Sequence, residues 1–164
     1  MDDFTSDFGH MPDLMRALVE ERALERLTEE YAHATDRREP DSVASLFIED
    51  GLLVLCLDGA EGQSAKRYHG RPAIAAAIAA LSRYDATTHF LGQRSFEVEG
   101  HQARGETYCL AYHVRKQPGR LVNVVLAIRY LDKCVRRDGQ WLFTERRIVT
   151  DWMDRSEHSQ HVRQ

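Results

Sequence analysis

A chain of 164 residues with 43% hydrophobic side chains is long enough for one domain with a real core. Its net charge of −4, with acids and bases interspersed, argues against a basic nucleic-acid surface and against an acidic solvating arm. No apolar run is long enough to span a bilayer, Met1-Asp2-Asp3 begins no apolar signal segment, and Cys56, Cys109 and Cys134 are scattered singly, so the expectation is a cytoplasmic protein with buried free thiols and no membrane partner.

Residues 1–11 read as a flexible leader, residues 12–152 as a single domain and residues 153–164 as a flexible polar tail. A helix is predicted from about Pro12 to Thr35, with Leu14, Leu18, Leu24, Leu27, Tyr31 and Ala34 recurring at three- and four-residue spacing. A short helix follows over Asp41–Phe47, started by Pro40 and Asp41 and ended by Asp50-Gly51. Leu52–Leu57 is a strand, 58–64 a loop and Lys66–His69 a second strand. Gly70-Arg71-Pro72 opens an Ala-rich helix over Ala73–Ser82 with Ile74, Ile78 and Leu81 as its buried stripe.

Four strands complete the chain: Thr87–Val98, Ala103–Lys116, Leu121–Val135 and Gln140–Asp151. Glu99-Gly100-His101, Gln117-Pro118-Gly119 and Arg137-Asp138-Gly139 separate them. Glycine takes positive φ and proline fixes φ, so these are hairpin turns. Helices followed by long antiparallel strands make an α+β fold. A long twisted sheet wraps around helices on one face, which leaves a deep central pocket between its concave side and the first helix.

The chemistry-bearing residues fall on these elements. Asp36 ends the first helix in Ala34-Thr35-Asp36-Arg37-Arg38. Alternation places His89, Leu91 and Gln93 on one face of their strand, and Thr107, Cys109, Ala111 and His113 on one face of the next. Arg146 shares a face with Leu142, Thr144 and Ile148. A carboxylate that accepts a hydrogen bond from one imidazole nitrogen fixes the tautomer and makes the other nitrogen a better proton acceptor. Asp36 with His89 fits that role, and His113 fits an acid that protonates a leaving group. Each has a bland reading as well. Asp36 suits a turn, His113 a wet strand end, Tyr31 a core position and Arg146 a surface charge. His10, His33, His69, His101, His158 and His161 show no metal-ligand spacing, and no phosphate loop, dinucleotide fingerprint or nucleophile motif is present; no cofactor and no metal are expected.

Tyr31…Asp36-Arg37-Arg38, Phe47-Ile48-Glu49-Asp50-Gly51, Thr88-His89-Phe90-Leu91-Gly92, Tyr112-His113 and Arg136-Arg137-Asp138-Gly139-Gln140-Trp141…Arg146, in that order and spacing, resemble the SnoaL-like, scytalone dehydratase-like branch of the nuclear-transport-factor-like superfamily. The resemblance covers about Leu14 to Trp152. It implies a cone-shaped, barrel-like curved antiparallel sheet wrapped around three N-terminal helices. It implies that Asp36 and His89 are a His–Asp dyad and His113 the second histidine of scytalone dehydratase. Arg146 corresponds to a pocket arginine of hexachlorocyclohexane dehydrochlorinase, and Tyr31 to a pocket tyrosine of bile-acid 7α-dehydratase. Ile128 and Tyr130 stand where scytalone dehydratase has Ser and Asn, which implies a different substrate.

The expected activity is a cofactor-independent lyase, a dehydratase-type β-elimination on a small, largely apolar cyclic substrate. Asp36, His89, His113, Tyr31 and Arg146 form the site. An isomerase or polyketide cyclase using the same dyad is the alternative among enzymes. A non-catalytic ligand-binding or assembly subunit, such as a dioxygenase small subunit, is the alternative outside them. The exposed sheet face makes a homo-oligomer, dimer or trimer, the expected state.

Overall fold

A computed structural model describes residues 11–57 and 65–159 of the chain. The expected leader before Met11, the expected loop at 58–64 and the last five residues of the expected tail lie outside the described residues.

Helix α1 (Met11–Arg37) is longer than its apolar spacing predicts, and its apolar residues divide into two faces. Leu24, Leu27, Thr28, Tyr31, Ala34 and Thr35 are buried. Met11, Leu14, Met15, Leu18 and Val19 are exposed. At about 100° per residue the two groups point in roughly opposite directions. Leu14 and Leu18 therefore do not belong to the core stripe that the sequence assigns them to.

Helix α2 (Pro40–Ser45) is short. Phe47, expected in that helix, instead begins β1 (Phe47–Cys56), because its ring is wholly buried between Tyr31 and Phe143. Gly51 allows the bulge between Phe47 and Leu52: an added Cβ would lie 2.9 Å from the Phe47 Cβ. Strand β2 (Lys66–His69) leads into α3 (Arg71–Ala79), followed by a 3-10 turn over Ala80–Arg83. Then come β3 (Ala86–Glu99), β4 (Gln102–Gln117), β5 (Arg120–Arg137) and β6 (Gln140–Ser159).

The six strands form one sheet in the order β2-β1-β6-β5-β4-β3. It curves around α1 but does not close, so β2 and β3 are free edges and the expected barrel is an open half-wrap. The pairing of β1 with β6 is parallel, where the sequence suggests a wholly antiparallel sheet. No hairpin joins these two strands, so nothing local dictates their direction.

Strand β6 also runs past its expected end at Asp151. Leu121 to Leu126 pair with His158 to Met153, so this part of the expected flexible tail is ordered sheet. The polar side chains there disguise it, but backbone hydrogen bonds do not depend on side-chain polarity, and Arg120 and Arg155 both grip Glu157. The core gathers Leu24, Tyr31, Phe47, Leu53, Ile74, Tyr130 and Phe143 between α1, α3 and the concave face. Cys56, Cys109 and Cys134 are buried free thiols.

Candidate active site

Asp36 occupies the last turn of α1. The chain reverses directly after it, with Arg38 at φ 58° and the Glu39 N–H donating to the Ala34 carbonyl at 2.9 Å. A negative charge there opposes the helix macrodipole. Two hydrogen bonds from one residue offset that cost. The His89 backbone N–H donates to Asp36 Oδ2 at 2.9 Å, and His89 Nδ1 lies 2.7 Å from Asp36 Oδ1. Burial would raise the Asp36 carboxyl, but the His89 ring and backbone hydrogen bonds outweigh it and hold it below the usual carboxylate range. An ionised carboxylate only accepts, so the proton sits on Nδ1 and the neutral ring presents Nε2 as an acceptor. The His89 side chain is 7% exposed and that of Asp36 25% exposed, so the pair lies at the edge of the interior.

His113 joins this pair from β4. It stands opposite Thr87 while His89 stands opposite Ala111, which makes the two imidazoles diagonal neighbours on the concave face. Their ring centroids are 5.9 Å apart. His113 Nδ1 is buried and has no hydrogen-bond partner. Burial, with the His89 and Arg83 charges behind it, pushes the His113 imidazole down to about 4. At neutral pH the ring is uncharged, so it can donate or accept a hydrogen bond but has no extra proton to give to a leaving group. On its other side Tyr84 packs at 4.7 Å, and Arg38 Nη2 fixes Tyr84 by donating to its carbonyl at 2.8 Å.

Tyr31 and Arg146 come together elsewhere, beneath this group. Arg146 is fully buried and forms a two-point ion pair with Asp132, Nε to Oδ1 at 2.8 Å and Nη2 to Oδ2 at 2.7 Å. Its guanidinium lies 4.2 Å from the ring centroids of Tyr31 and Tyr130 and 4.1 Å from that of Phe143. Nη1 faces this aromatic box with no hydrogen-bond partner. Burial disfavours the Arg146 charge, but Asp132 more than compensates and holds the group protonated. Burial pushes the Tyr31 phenol up to about 12, so it stays a hydroxyl.

Cys109 connects the two groups: Tyr130 Oη donates to its Sγ at 3.7 Å, and the charges of both Asp36 and Arg146 act on it. Two bulges explain why strict alternation misplaces neighbours. One between Leu91 and Arg94 turns Arg94, rather than Gln93, toward Glu25 of α1. Another, at Thr144, puts Arg146 with Phe143 instead of with Leu142 and Thr144.

Asp132 and Tyr84 are neighbours of these two groups that the motifs do not single out. A signal for Asp132 exists: Ile128, Tyr130, Asp132 and Cys134 are all buried and alternate along β5. Among the described residues, no three His, Cys, Asp or Glu side chains gather as metal ligands would. Other cavities lie away from His89 and His113; one of about 700 Å³, with His101 in its lining, separates the first half of α1 from the β3–β4 hairpin.

The sequence profile of the SnoaL-like domain matches residues 16–147. The chain belongs to the SnoaL-like domain family. Among solved structures, this SnoaL-like chain is similar to a candidate scytalone dehydratase from Novosphingobium aromaticivorans, at 28% identity and TM-score 0.69, over 90% of this chain and 91% of that one. It is similar to a type 2 hexachlorocyclohexane dehydrochlorinase, at 22% identity and TM-score 0.70, over 88% and 93% of the two chains. It is also similar to the β subunit of a candidate aromatic-ring-hydroxylating dioxygenase from N. aromaticivorans, at 19% identity and TM-score 0.69, over 83% and 92%. The SnoaL-like fold thus carries enzymes and subunits alike, and function has to be argued from the site. No curated protein sequence matches the chain.

Proposed function

We propose that the chain is a lyase that removes water from a small, largely apolar cyclic substrate. One observation carries this reading: Asp36 grips both the ring and the backbone of His89, beside a buried His113 nitrogen with no partner. A carboxylate at that helix end opposes the macrodipole, and the arrangement presents a fixed imidazole acceptor to the interior.

In the proposed reaction His89 Nε2 takes a proton from a carbon next to a carbonyl, and Asp36 stabilises the imidazolium that forms. The C–O bond of the neighbouring carbon breaks, a C=C bond forms, and the hydroxide leaves with the abstracted proton as water. Neutral His113 hydrogen-bonds the departing oxygen, directly or through a water it orients. Arg146 is committed to Asp132, so its part is to position the Tyr31 and Tyr130 rings rather than to meet the substrate's charge. These proton transfers call on the chain's own side chains alone.

The exposed stripe of α1 and the outer sheet residues Phe90, Tyr108 and Trp152 support a homo-oligomeric state within the same reading.

The test is turnover of a panel of cyclic β-hydroxy ketones by wild type and His89→Ala, read by product mass with circular dichroism as a fold check. Loss of water in the wild type and a drop of about 10²–10⁴-fold in a folded His89→Ala is the expected result. Dyad-dependent turnover with unchanged mass would assign an isomerase or cyclase instead. A folded variant with full activity would remove the dyad from the chemistry.

A further inference from the structure

Arg83 ends the 3-10 turn that leads into β3, and it is exposed. Its guanidinium carbon lies 4.9 Å from the Tyr84 ring centroid. The Tyr84 ring lies 4.7 Å from His113, and His113 lies 5.9 Å from His89. A continuous row therefore runs from the dyad outward and ends in a cation.

That cation has no carboxylate partner among the described residues. The adjacent Asp85 is engaged elsewhere, accepting the Lys116 backbone N–H at 2.6 Å. Asp36 is engaged with His89. Arg22, Arg120 and Arg129 are paired with carboxylates, whereas Arg16, Arg37, Arg104, Arg115 and Arg137 are exposed without one among the described residues, so what sets Arg83 apart is its place in the row that reaches His113. A second guanidinium, that of Arg38, spends one N–H on the Tyr84 carbonyl and braces the segment from the other side. The contact with the Tyr84 ring lays Arg83 against the side chain that packs on His113.

Resting on the function proposed above, we infer that the substrate carries an oxyanion substituent, carboxylate or phosphate, that Arg83 binds at the outer lip of this row of side chains while its apolar ring lies along Tyr84 toward the histidines. A planar guanidinium fork matches either group with two parallel hydrogen bonds. This places the charged end of the substrate at the outer end of the row, away from the reacting carbon, and fixes which end enters first.

The test needs no turnover. Dissociation constants are measured by calorimetry on the full chain for three probes with one ring system: 2-naphthoate, 2-naphthyl phosphate and neutral 2-naphthamide. Histidine ring resonances, with His113 assigned from His113→Gln, report where they bind. At least one anion should bind about tenfold more tightly than the amide, the strength of a hydrogen bond to a charged group, and should shift the His113 resonance. Which of the two anions wins identifies the group. Arg83→Gln should bring the anions down to the affinity of the amide. Equal affinities, no binding by any probe, a preference that survives Arg83→Gln, or shifts that spare His113 would each overturn the inference. His89→Ala should keep the anion preference while losing turnover, so the lip and the dyad fail independently.

Discussion

His113 meets His89 edge to face, with ring planes at 88°. Two imidazolium rings so placed would repel across a poorly solvated gap, and the Arg83 charge, beyond Tyr84, disfavours the His113 cation further. The pair therefore holds at most one proton comfortably. A base that accepts a proton during turnover needs an uncharged neighbour, and the burial of His113 supplies one.

The stability of the protein should carry the mark of this arrangement. The folded-state value for His113 is about 4, below its ordinary 6.5, so between those limits the folded chain binds fewer protons than the unfolded chain. Stability must then fall as pH drops below 6.5, with the loss complete near 4. His113→Gln removes this contribution. Thermal melts from pH 7 to pH 4 should show a shallower decline for His113→Gln than for wild type; parallel curves would place His113 in water.

Asp36→Asn should fold, yet lose about 10²–10⁴ in turnover, because an amide neither fixes the His89 tautomer nor stabilises its cation. The carboxyl is held below its ordinary range, so its stabilising effect is present above an ordinary carboxylate pKa of about 3.9 and vanishes as pH falls through the folded value. The melting temperatures of wild type and Asp36→Asn should differ at pH 7 and converge in acid.

The Arg146–Asp132 pair is sealed on every side, both side chains being 0% exposed. Asp132→Ala leaves a buried guanidinium without its counter-charge and should cost about 3–5 kcal/mol in urea denaturation. The double change Asp132→Leu with Arg146→Met removes both charges and fills the aromatic box with apolar atoms. It should recover most of that loss. A double variant as unstable as the single one would mean that shape, not charge balance, governs this layer.

The outward stripe of α1 predicts association. Leu14→Glu with Leu18→Glu alters residues that are 56% and 57% exposed, so the monomer fold should be indifferent to it. Light scattering after size exclusion should show a smaller particle for the variant than for wild type. Identical masses would mean that this stripe is not the contact.

Much of this architecture is legible in the chain because it depends on local chemistry. Gly100, Gly119 and Gly139 take positive φ at the three hairpins, where the turn residues announce them. The Asp36–His89 contact is legible only through the family pattern, since 53 residues separate the two. What stays hidden is what a bulge or a distant partner decides. Arg146 turns inward only because Thr144 is an extra residue in its strand. Asp132, in Leu131-Asp132-Lys133, betrays its burial only by alternating with Ile128, Tyr130 and Cys134, and nothing local names Arg146 as its partner. Leu14 and Leu18 follow a three- and four-residue spacing, yet they lie on the face of α1 turned away from the core leucines.

Strand β6 sits between β1 and β5, although it is the final strand of the described chain. The helices with β1 and β2 form one half and the β3–β5 meander the other; α1 touches the meander through Asp36–His89 and Glu25–Arg94, but within the sheet only β6 stitches the two together. During synthesis both halves must wait, each with an unfinished edge, until that strand has left the ribosome. Arg146 travels on the same strand, so the arrival of the stitch also delivers the cation that neutralises Asp132. Assembly of this protein is therefore all or nothing, and nascent chains cut short of β6 are candidates for chaperones rather than for partial function.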